Sequence, residues 1–434
     1  MSAAMRPRRR LSHDAWSRMA SEAAPPLLAL WADSREVYAL LRDGDPPLLV
    51  SMELDGSGYP ALSPTRPAAA WFERTVHDLW GHPAIGATDP RAWLDHGRWP
   101  RRTPMTVNTG QVGPPEPPEF HLPEDLDQIP LGPVRGGIEP AAHLRLAVDG
   151  ETIRRAEVRL GYTHKGTLSL MRGKSPRAAA RFAARLTAAS TAAHATAFAR
   201  ASEAALGVEV PPRASALRGL MAQIERVLCH LDALSTIAEA IGLEVFATSS
   251  AWQAERVRAA ADIAFGHRLM MDCVVPGGVA RDIAPLGREA IGHALSGVAA
   301  ERAGLQLLAR ETRDQTSGRG MAGESVVMRC GERLAAIGDA VGQAQAVLGA
   351  LPEGALAIAL PVASGEGIGF ANGPGGGDIW HWLRLDHGQI VSLFMCDPAW
   401  EQWRQLEAMM VGARLGELGV ILASFGLSSS GADL

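Results

Sequence analysis

Cysteine is scarce in this chain of 434 residues. The four cysteines stand far apart, and no two of them form a C-x-x-C pair. Zinc sites, iron–sulfur clusters and thiol redox centres all need clustered thiolates. We therefore expect the chain to bind no metal or cluster by itself, and its isolated thiols are typical of a reducing compartment.

An excess of positive charge and long apolar runs are also absent. The 42 basic residues are outnumbered by 47 acidic ones, and the net charge near −5 argues against a nucleic-acid partner. No run of about 18 uncharged apolar residues is present, so no transmembrane helix is predicted. The basic N-terminus, MSAAMRPRRRLSHD, lacks the apolar stretch of a signal peptide. These features predict a cytoplasmic protein whose contact with a membrane is peripheral.

Aromatic residues make up only 5% of the chain, and the many small residues favour closely packed helices. The segment HLRLAVDGETIRRAEVRL (143–160) alternates with period two around Asp149-Gly150 and predicts a β-hairpin. GPGGGD at 373–378 predicts a turn rather than a phosphate cradle, because neither lysine nor a helix start follows it. Apolar periodicity near 3.6 predicts helices at 175–207, 213–241, 252–265, 286–312, 325–350 and 399–424.

Proline marks the organisation of the chain. Residues 104–133, which include GPPEPPEFHLPEDLDQIPLGP, are rich in proline and are expected to run extended as a linker. Short strand and turn signals precede this linker, and the predicted helices follow it. We therefore predict an α+β, mainly α fold, with a small N-terminal α/β module at 1–103 and, at 134–434, a helical bundle with a small β-hairpin region.

Several phrases of the larger part occur in a fixed order. They include RLGYTHKG at 159–166, RLTAASTAAHATAFA at 185–199, GEGIG at 365–369 and LASFGLSSSGADL at 422–434. Together they resemble the large subunit of nickel–iron hydrogenases and its relative, the 49-kDa-type subunit of respiratory complex I. WFERTVHDLWGHPAIG at 71–86 resembles the 30-kDa-type complex I subunit. A fusion of the two resembles the large subunits of hydrogenase-4 and formate hydrogenlyase.

The resemblance implies a metal site whose ligands have changed. Catalytic members hold nickel and iron with four cysteines, and their places here correspond to Thr187, Ser190, Ser428 and Gly431. Three hydroxyls and a missing side chain do not replace four soft thiolates, so we predict no nickel–iron centre. Without the resemblance, Thr187 and Ser190 would be ordinary hydroxyls on an alanine-rich helix.

The resemblance also implies a polar cavity around these positions. In complex I a tyrosine there helps to hold a quinone, and its place here corresponds to Ala188, which weakens a quinone prediction. Histidines titrate near neutrality and can still hold a head group or relay protons, although each is also compatible with an ordinary core or surface position. The remaining polar candidates are Arg135, His143, His164, Lys165 and His194.

Two further residues indicate a partner. Relatives place an arginine and a histidine, matched here by Arg185 and His230, against a 4Fe-4S cluster of an iron–sulfur small subunit. The resemblance therefore implies an NADH:quinone oxidoreductase or hydrogenase-4-like complex in which this subunit is not catalytic alone. It would lie on the inner face of the cytoplasmic membrane beside integral-membrane, antiporter-like subunits. The alternative is a non-redox scaffold of an antiporter-like ion or bicarbonate transport complex.

Overall fold

The protein is described by a computed structural model that covers residues 7–106, 117–134, 140–301 and 320–434. Helix outweighs strand, at 44% against 19%, which confirms the predicted α+β, mainly α class. No helix within these ranges combines the length and the hydropathy that a bilayer span requires.

The N-terminal residues form a four-stranded sheet with two helices. Its elements are β1 (Arg9–Leu11), α1 (His13–Ser21), β2 (Leu27–Ala32), β3 (Glu36–Leu41), β4 (Leu48–Glu53), the short β5 (Tyr59–Pro60), α2 (Ala69–Trp80) and the short β6 (Ala84–Ile85). The sheet order is β1-β4-β3-β2, with β1 parallel to β4 and the other pairs antiparallel. All six residues of the central strand β3 are buried, because both of its faces are covered.

A second sheet contains the predicted hairpin. Its strands are β7 (Asp127–Leu131), β8 (His143–Asp149) and β9 (Thr152–Arg159), and all are antiparallel. The β8–β9 hairpin turns at Gly150, with φ of +57°, as the period-two pattern predicted. The strand β7 lies inside the segment that was predicted to run extended as a linker. Proline is tolerated there because β7 is an edge strand, and Ile129 and Leu131 pack against the core.

The helices of the larger part are mostly where the periodicity predicted them. They are α3 (Thr167–Met171), α4 (Pro176–Ala183), α5 (Thr191–Leu206), α6 (Pro212–Ala240), α7 (Glu244–Phe265), α8 (Pro285–Ala300), α9 (Gly320–Gly349), α10 (Ala399–Met410) and α11 (Leu418–Phe425). The predicted helix at 286–312 extends beyond the described residues after 301. The predicted helix at 399–424 is two helices, because Gly412 between them has a φ of +87°.

The predicted single helix at 175–207 is wrong in a way that matters for the site. It is interrupted between α4 and α5, where Ala188–Ser190 form a short 3-10 turn. The buried Glu225 of α6 accepts hydrogen bonds from the backbone N–H groups of Ala192 and Ala193, at 2.6 and 2.9 Å. The two carboxyl oxygens of Glu225 satisfy free N–H groups of the helix start, so a tertiary contact fixes where α5 begins.

A third sheet, absent from the sequence prediction, supports α5. Its antiparallel strands are β12 (Gly365–Asn372), β13 (Asp378–Asp386) and β14 (Gln389–Cys396), and the two-residue strands β10 (Val274–Val275) and β11 (Gly278–Val279) pair separately. In GEGIG, the three glycines lie directly against α5. A Cβ on Gly365, Gly367 or Gly369 would overlap a carbonyl oxygen of α5, so this motif allows the helix and strand backbones to touch.

One hydrophobic core joins the N-terminal sheet to the third sheet. The Trp31 ring stacks on Tyr38 at 5.5 Å and on Phe394 of β14 at 5.2 Å, and Phe72 stacks on Trp400 at 4.6 Å. A second core of aliphatic residues and alanine lies between α6, α7, α8 and α9. The domain boundaries at 103 and 134 stay a prediction, and the residues on either side of them pack into one core.

Candidate functional site

The four positions that the sequence comparison placed at the ancestral metal line one cavity. Thr187, Ser190, Ser428 and Gly431 surround a space of about 220 Å³ between the 3-10 turn, α6 and the C-terminal segment. Thr187 and Ser190 precede α5 rather than lying on it, so the alternative of ordinary helix-surface hydroxyls does not describe them. Residues some 240 positions apart thus meet, as the resemblance implied.

A carboxylate fills the space beside Gly431. A Cβ added to Gly431 would lie 2.7 Å from Oδ1 of Asp397 and 3.0 Å from the Cβ of Ala399. The same Oδ1 accepts a hydrogen bond from the backbone N–H of Ala399 at 2.7 Å, which fixes the carboxylate in place. Any residue with a side chain at position 431 therefore collides with Asp397 unless Asp397 or the backbone moves.

Asp397 contacts the first of two buried histidines, which are hydrogen-bonded to each other. His194 Nε2 lies 2.8 Å from Oδ2 of Asp397, and His194 Nδ1 lies 2.9 Å from Nε2 of His381. Because a carboxylate accepts hydrogen bonds, His194 donates from Nε2 to Asp397, and the tautomers of the two rings decide which histidine donates in the bond between them. Burial lowers the pKa of His381 well below its usual value, and the neighbouring His194 lowers it further. The predicted site residue His194 is a fully buried histidine that orients a carboxylate at the cavity wall.

Two of the other predicted polar residues line a separate, mostly apolar cavity of about 400 Å³. His164 Nδ1 lies 2.6 Å from the carbonyl oxygen of Asp433, and its ring lies 4.5 Å from the ring of Trp99. Lys165 donates to the carbonyl oxygen of Leu186 at 2.6 Å, and burial lowers its pKa. This cavity lies between the N-terminal residues 79–105 and the segment 161–170.

His143 lies on β8 and lines neither of these cavities. Its Nδ1 is 3.0 Å from the hydroxyl of Tyr162, and its ring packs edge-on against Phe120. Burial lowers the pKa of His143, and the charge of Arg145 adds to the effect. Arg135 lies outside the described residues, and Ala188 is exposed on the 3-10 turn without lining the cavity. The described members of the predicted polar set therefore do not lie together around one cavity.

The two residues predicted to face a cluster are held within this chain in different ways. Arg185 is exposed and makes a bidentate ion pair with Asp272, at 2.6 and 2.7 Å. His230 is buried on α6 with its Nδ1 3.4 Å from Arg333. Burial lowers the pKa of His230 to about 3, and the charges of Arg333 and Arg226 add to the effect. His230 is therefore neutral at physiological pH.

Comparisons with known proteins find homologues that share this arrangement of motifs. The family described as Nickel-dependent hydrogenase matches residues 165–235, the range that contains Thr187, Ser190 and His230. Hydrogenase-4 component G of Escherichia coli (strain K12) is 27% identical over 243 residues, and an NADH-quinone oxidoreductase subunit of Bartonella quintana (strain Toulouse) is 34% identical over 165 residues. This chain is a homologue of hydrogenase and complex I subunits. The resemblance noted in the sequence is thereby confirmed.

The homology covers part of each protein. The match to component G spans 54% of this chain and 44% of the relative, and the match to the Bartonella protein spans 36% and 41%. The chain thus spans less than half the length of these curated relatives. A chain from the membrane-bound sulfane sulfur reductase, an archaeal respiratory membrane complex, aligns with a TM-score of 0.63 over 73% of this chain and 100% of that chain. At 18% identity, this similarity shows a shared fold.

The donor atoms around the cavity do not fit the nickel–iron centre that the family implies. The only thiol among the described lining residues is Cys229, and burial raises its pKa to about 11. A protonated thiol is a poor metal ligand. Within the described ranges, no group of three or more histidine, cysteine or acidic side chains is placed to hold a metal ion. The remaining side-chain oxygen donors are hydroxyls, the amide of Gln402 and the carboxylates of Asp232 and Asp397, and they suit hard cations rather than nickel.

Sequence reasoning missed three residues that shape the site, Cys229, His381 and Asp397. His381 lies on β13 and Asp397 directly follows β14, and this sheet was not predicted, so no local signal placed either residue near the cavity. A local signal was available for Cys229 alone. It lies four residues before Ala233 on α6, so the two residues share one face of the helix.

Proposed function

We propose that this chain is a subunit of a membrane-associated oxidoreductase complex related to hydrogenase-4 and complex I, and that it lacks a nickel–iron centre of its own. The observation that carries the proposal is the cavity where Thr187, Ser190, Ser428 and Gly431 meet, with Asp397 filling the space beside Gly431. The homologous proteins are oxidoreductase subunits by name. The donor atoms around this cavity support a subunit that does not bind the metal of these homologues.

The proposed partner for electron transfer is an iron–sulfur small subunit with a 4Fe-4S cluster. Arg185 is exposed, which supports a role at a docking surface, although its charge is already paired with Asp272. His230 is buried and neutral, so it acts on a nearby cluster by hydrogen bonding rather than by charge. Integral-membrane, antiporter-like subunits would couple the electron transfer to ion translocation. The subunit would then be peripheral, on the inner face of the cytoplasmic membrane, and not catalytic alone.

The proposed electron acceptor is a quinone. The apolar cavity of about 400 Å³ supports this choice, because it combines the Trp99 ring with the polar groups of Tyr162, His164 and Lys165. An aromatic ring stacked on tryptophan contributes about 1 kcal/mol. In the purified complex, Trp99→Ala should therefore raise the KM for a short-chain quinone about fivefold. The exposed Trp252 on α7 provides the control variant Trp252→Ala. Equal KM values for the two variants would assign the quinone to another site.

The central test is a metal analysis of the complex purified from its native membrane. We expect no nickel, together with about four irons for each partner cluster, and a reduced iron–sulfur signal in electron paramagnetic resonance. The chain expressed alone should carry neither metal. One nickel for each copy of the complex, or hydrogen turnover, would overturn the proposal. Absence of iron with an intact complex would leave the non-redox scaffold of an ion or bicarbonate transporter as the function.

A further inference from the structure

One cavity in the described part of the chain is lined by arginine. It has a volume of about 780 Å³ and lies between α6, α9 and the loop that joins β12 to β13. A cavity of this size is typical of sites for small molecules. The proposed quinone site does not include this cavity. The proposed electron route shares only His230 with the described lining of the cavity. Its arginines are Arg200, Arg218, Arg226, Arg329 and Arg333.

Among the described residues, only one of these arginines forms an ion pair with an acidic side chain. Arg218 makes a buried bidentate ion pair with Glu203, at 2.6 and 3.1 Å. Arg200 donates to the carbonyl oxygen of Phe370 at 2.8 Å, and Arg333 donates to that of Ser424 at 2.8 Å. Within the described ranges, neither of them has a carboxylate within 4 Å.

The other two arginines, Arg226 and Arg329, also lack an acidic partner among the described residues. The guanidinium of Arg329 lies 3.8 Å from the centre of the Phe425 ring, and neither it nor Arg226 makes an ion pair with a described residue. The acidic side chains in the lining are Glu332 and Asp378. The cavity wall therefore carries more positive charge than its own residues compensate.

The crowding of these cations adds to the lowering of one another's pKa. Burial lowers the pKa of Arg329, and the charge of Arg333 lowers it further. Burial likewise lowers the pKa of Arg200, with a further contribution from Arg218. Concentrated, partly desolvated positive charge is stabilised by a bound anion. Arginine is suited to this role because its planar fork binds phosphate and carboxylate groups in a bidentate manner.

The glycine-rich loop completes the wall opposite the helices. Gly375 and Gly376 are exposed at the cavity, and Gly376 and Gly377 have φ values of +102° and +80°. The loop lacks bulky side chains, so a ligand can approach its backbone closely. The sequence predicted a turn rather than a phosphate cradle because no lysine follows the loop. The missing cations come instead from α5, α6 and α9, which are distant from the loop in sequence.

We propose that this arginine cavity binds a small, diffusible oxyanion that carries two or more phosphate or carboxylate groups. Arg226 and Arg329, which are half-buried, would contact the anionic groups directly. Phe370, which lies 5.6 Å from the Arg200 guanidinium, provides an apolar surface for the body of the ligand. The proposal does not depend on the electron-transfer function and is tested separately from it.

The test is titration calorimetry of the purified full chain with pyrophosphate and with citrate, at constant ionic strength. We expect one saturable site for at least one of these anions. Arg226→Gln and Arg329→Gln should each raise its Kd about tenfold or more, because each removes a charge-assisted hydrogen bond. The exposed Arg155 on β9 provides the control, and Arg155→Gln should leave the Kd unchanged. Circular dichroism verifies that all three variants are folded.

Two results would overturn this inference. The first is no saturable binding of either anion, or equal weakening by Arg155→Gln and the cavity variants. The second is binding by the isolated chain that disappears in the purified complex, which would assign the cavity to acidic side chains of a partner subunit. Retention of pyrophosphate or citrate binding by the complex supports a diffusible ligand.

Discussion

Two neighbouring cavities of this protein share a wall but differ in chemistry. Arg329, Arg333 and the loop at 373–376 line both of them. On one side, hydroxyls, a thiol and the carboxylate of Asp397 surround a small space at the ancestral metal position. On the other side, arginines surround a space more than three times as large. The shared wall shows that one set of elements supports two sites, and that side chains alone decide what each can bind.

Helix α6 explains how the difference arises. Its residues 215–230 line the arginine cavity, and its residues 229–236 line the other. Cys229 and His230 are adjacent in sequence, but successive residues of a helix point about 100° apart. A single helix therefore contributes to both cavities, and a substitution on one face leaves the other largely unchanged.

The largest expected effect concerns the one arginine that is paired. Arg218→Gln would leave the buried carboxylate of Glu203 without its cation, and removing one partner of a buried ion pair costs about 3–5 kcal/mol. Arg226→Gln, in the same cavity but without an acidic partner, should change stability by less than about 0.5 kcal/mol. Urea unfolding of both variants measures the difference. Similar losses would show that the arginines are not divided into paired and unpaired groups.

The second effect tests how tightly Asp397 fills the other cavity. Gly431→Ala forces a Cβ against the carboxylate and should lower the free energy of unfolding by about 1–3 kcal/mol. Gly419→Ala in α11 is the matched control, because a Cβ there meets nothing within 4 Å. The control should be neutral or stabilising by up to about 1 kcal/mol. Equal stabilities in urea unfolding would contradict the close contact at Gly431.

The third effect depends on pH and concerns Glu225, which fixes the start of α5. Burial raises the pKa of Glu225 to about 8, above its ordinary value of 4.5, although two backbone N–H groups oppose the shift. Between these two values the folded state holds a proton that the unfolded state has released. The stability contribution of Glu225 is therefore complete below pH 4.5 and is lost as the pH rises towards 8.

Glu225→Gln should remove this dependence. The wild-type protein should lose roughly 1 kcal/mol per pH unit relative to the variant across the upper part of that window. Urea unfolding at pH 5, 6, 7 and 8 gives the two curves. Parallel curves would mean that Glu225 does not titrate in this range.

The smallest expected effect is at the surface. Arg185→Gln breaks the exposed ion pair with Asp272, and exposed pairs contribute about 0.2–1 kcal/mol. The isolated chain should therefore unfold almost as the wild type does. If Arg185 contacts the iron–sulfur subunit, the same variant should shift the reduction potential of the partner's cluster in the purified complex. An unchanged potential would remove Arg185 from the proposed electron route.

Several elements could be predicted from the sequence because their signals are local. The β8–β9 hairpin follows from alternation around Gly150, and α6 follows from a long run at helical period that ends at Ala240, just before Gly242. The break before α5 could not be predicted, because it depends on Glu225, which reaches it from another helix. The third sheet was missed because its strand β12 is rich in glycine, and glycine disfavours strands in isolation. Glycine is required there because a Cβ at these positions would overlap the backbone of α5.

The sequence by itself determined the kinship, the absence of clustered thiolates and the residues that stand at the ancestral metal positions. Motif order and residue type are properties of the chain, and they persist in any conformation. Only the tertiary structure decided that Asp397 occupies the space beside Gly431 and that arginines from three helices gather around one cavity. These features depend on contacts between residues far apart in sequence, and such contacts form only when the elements pack.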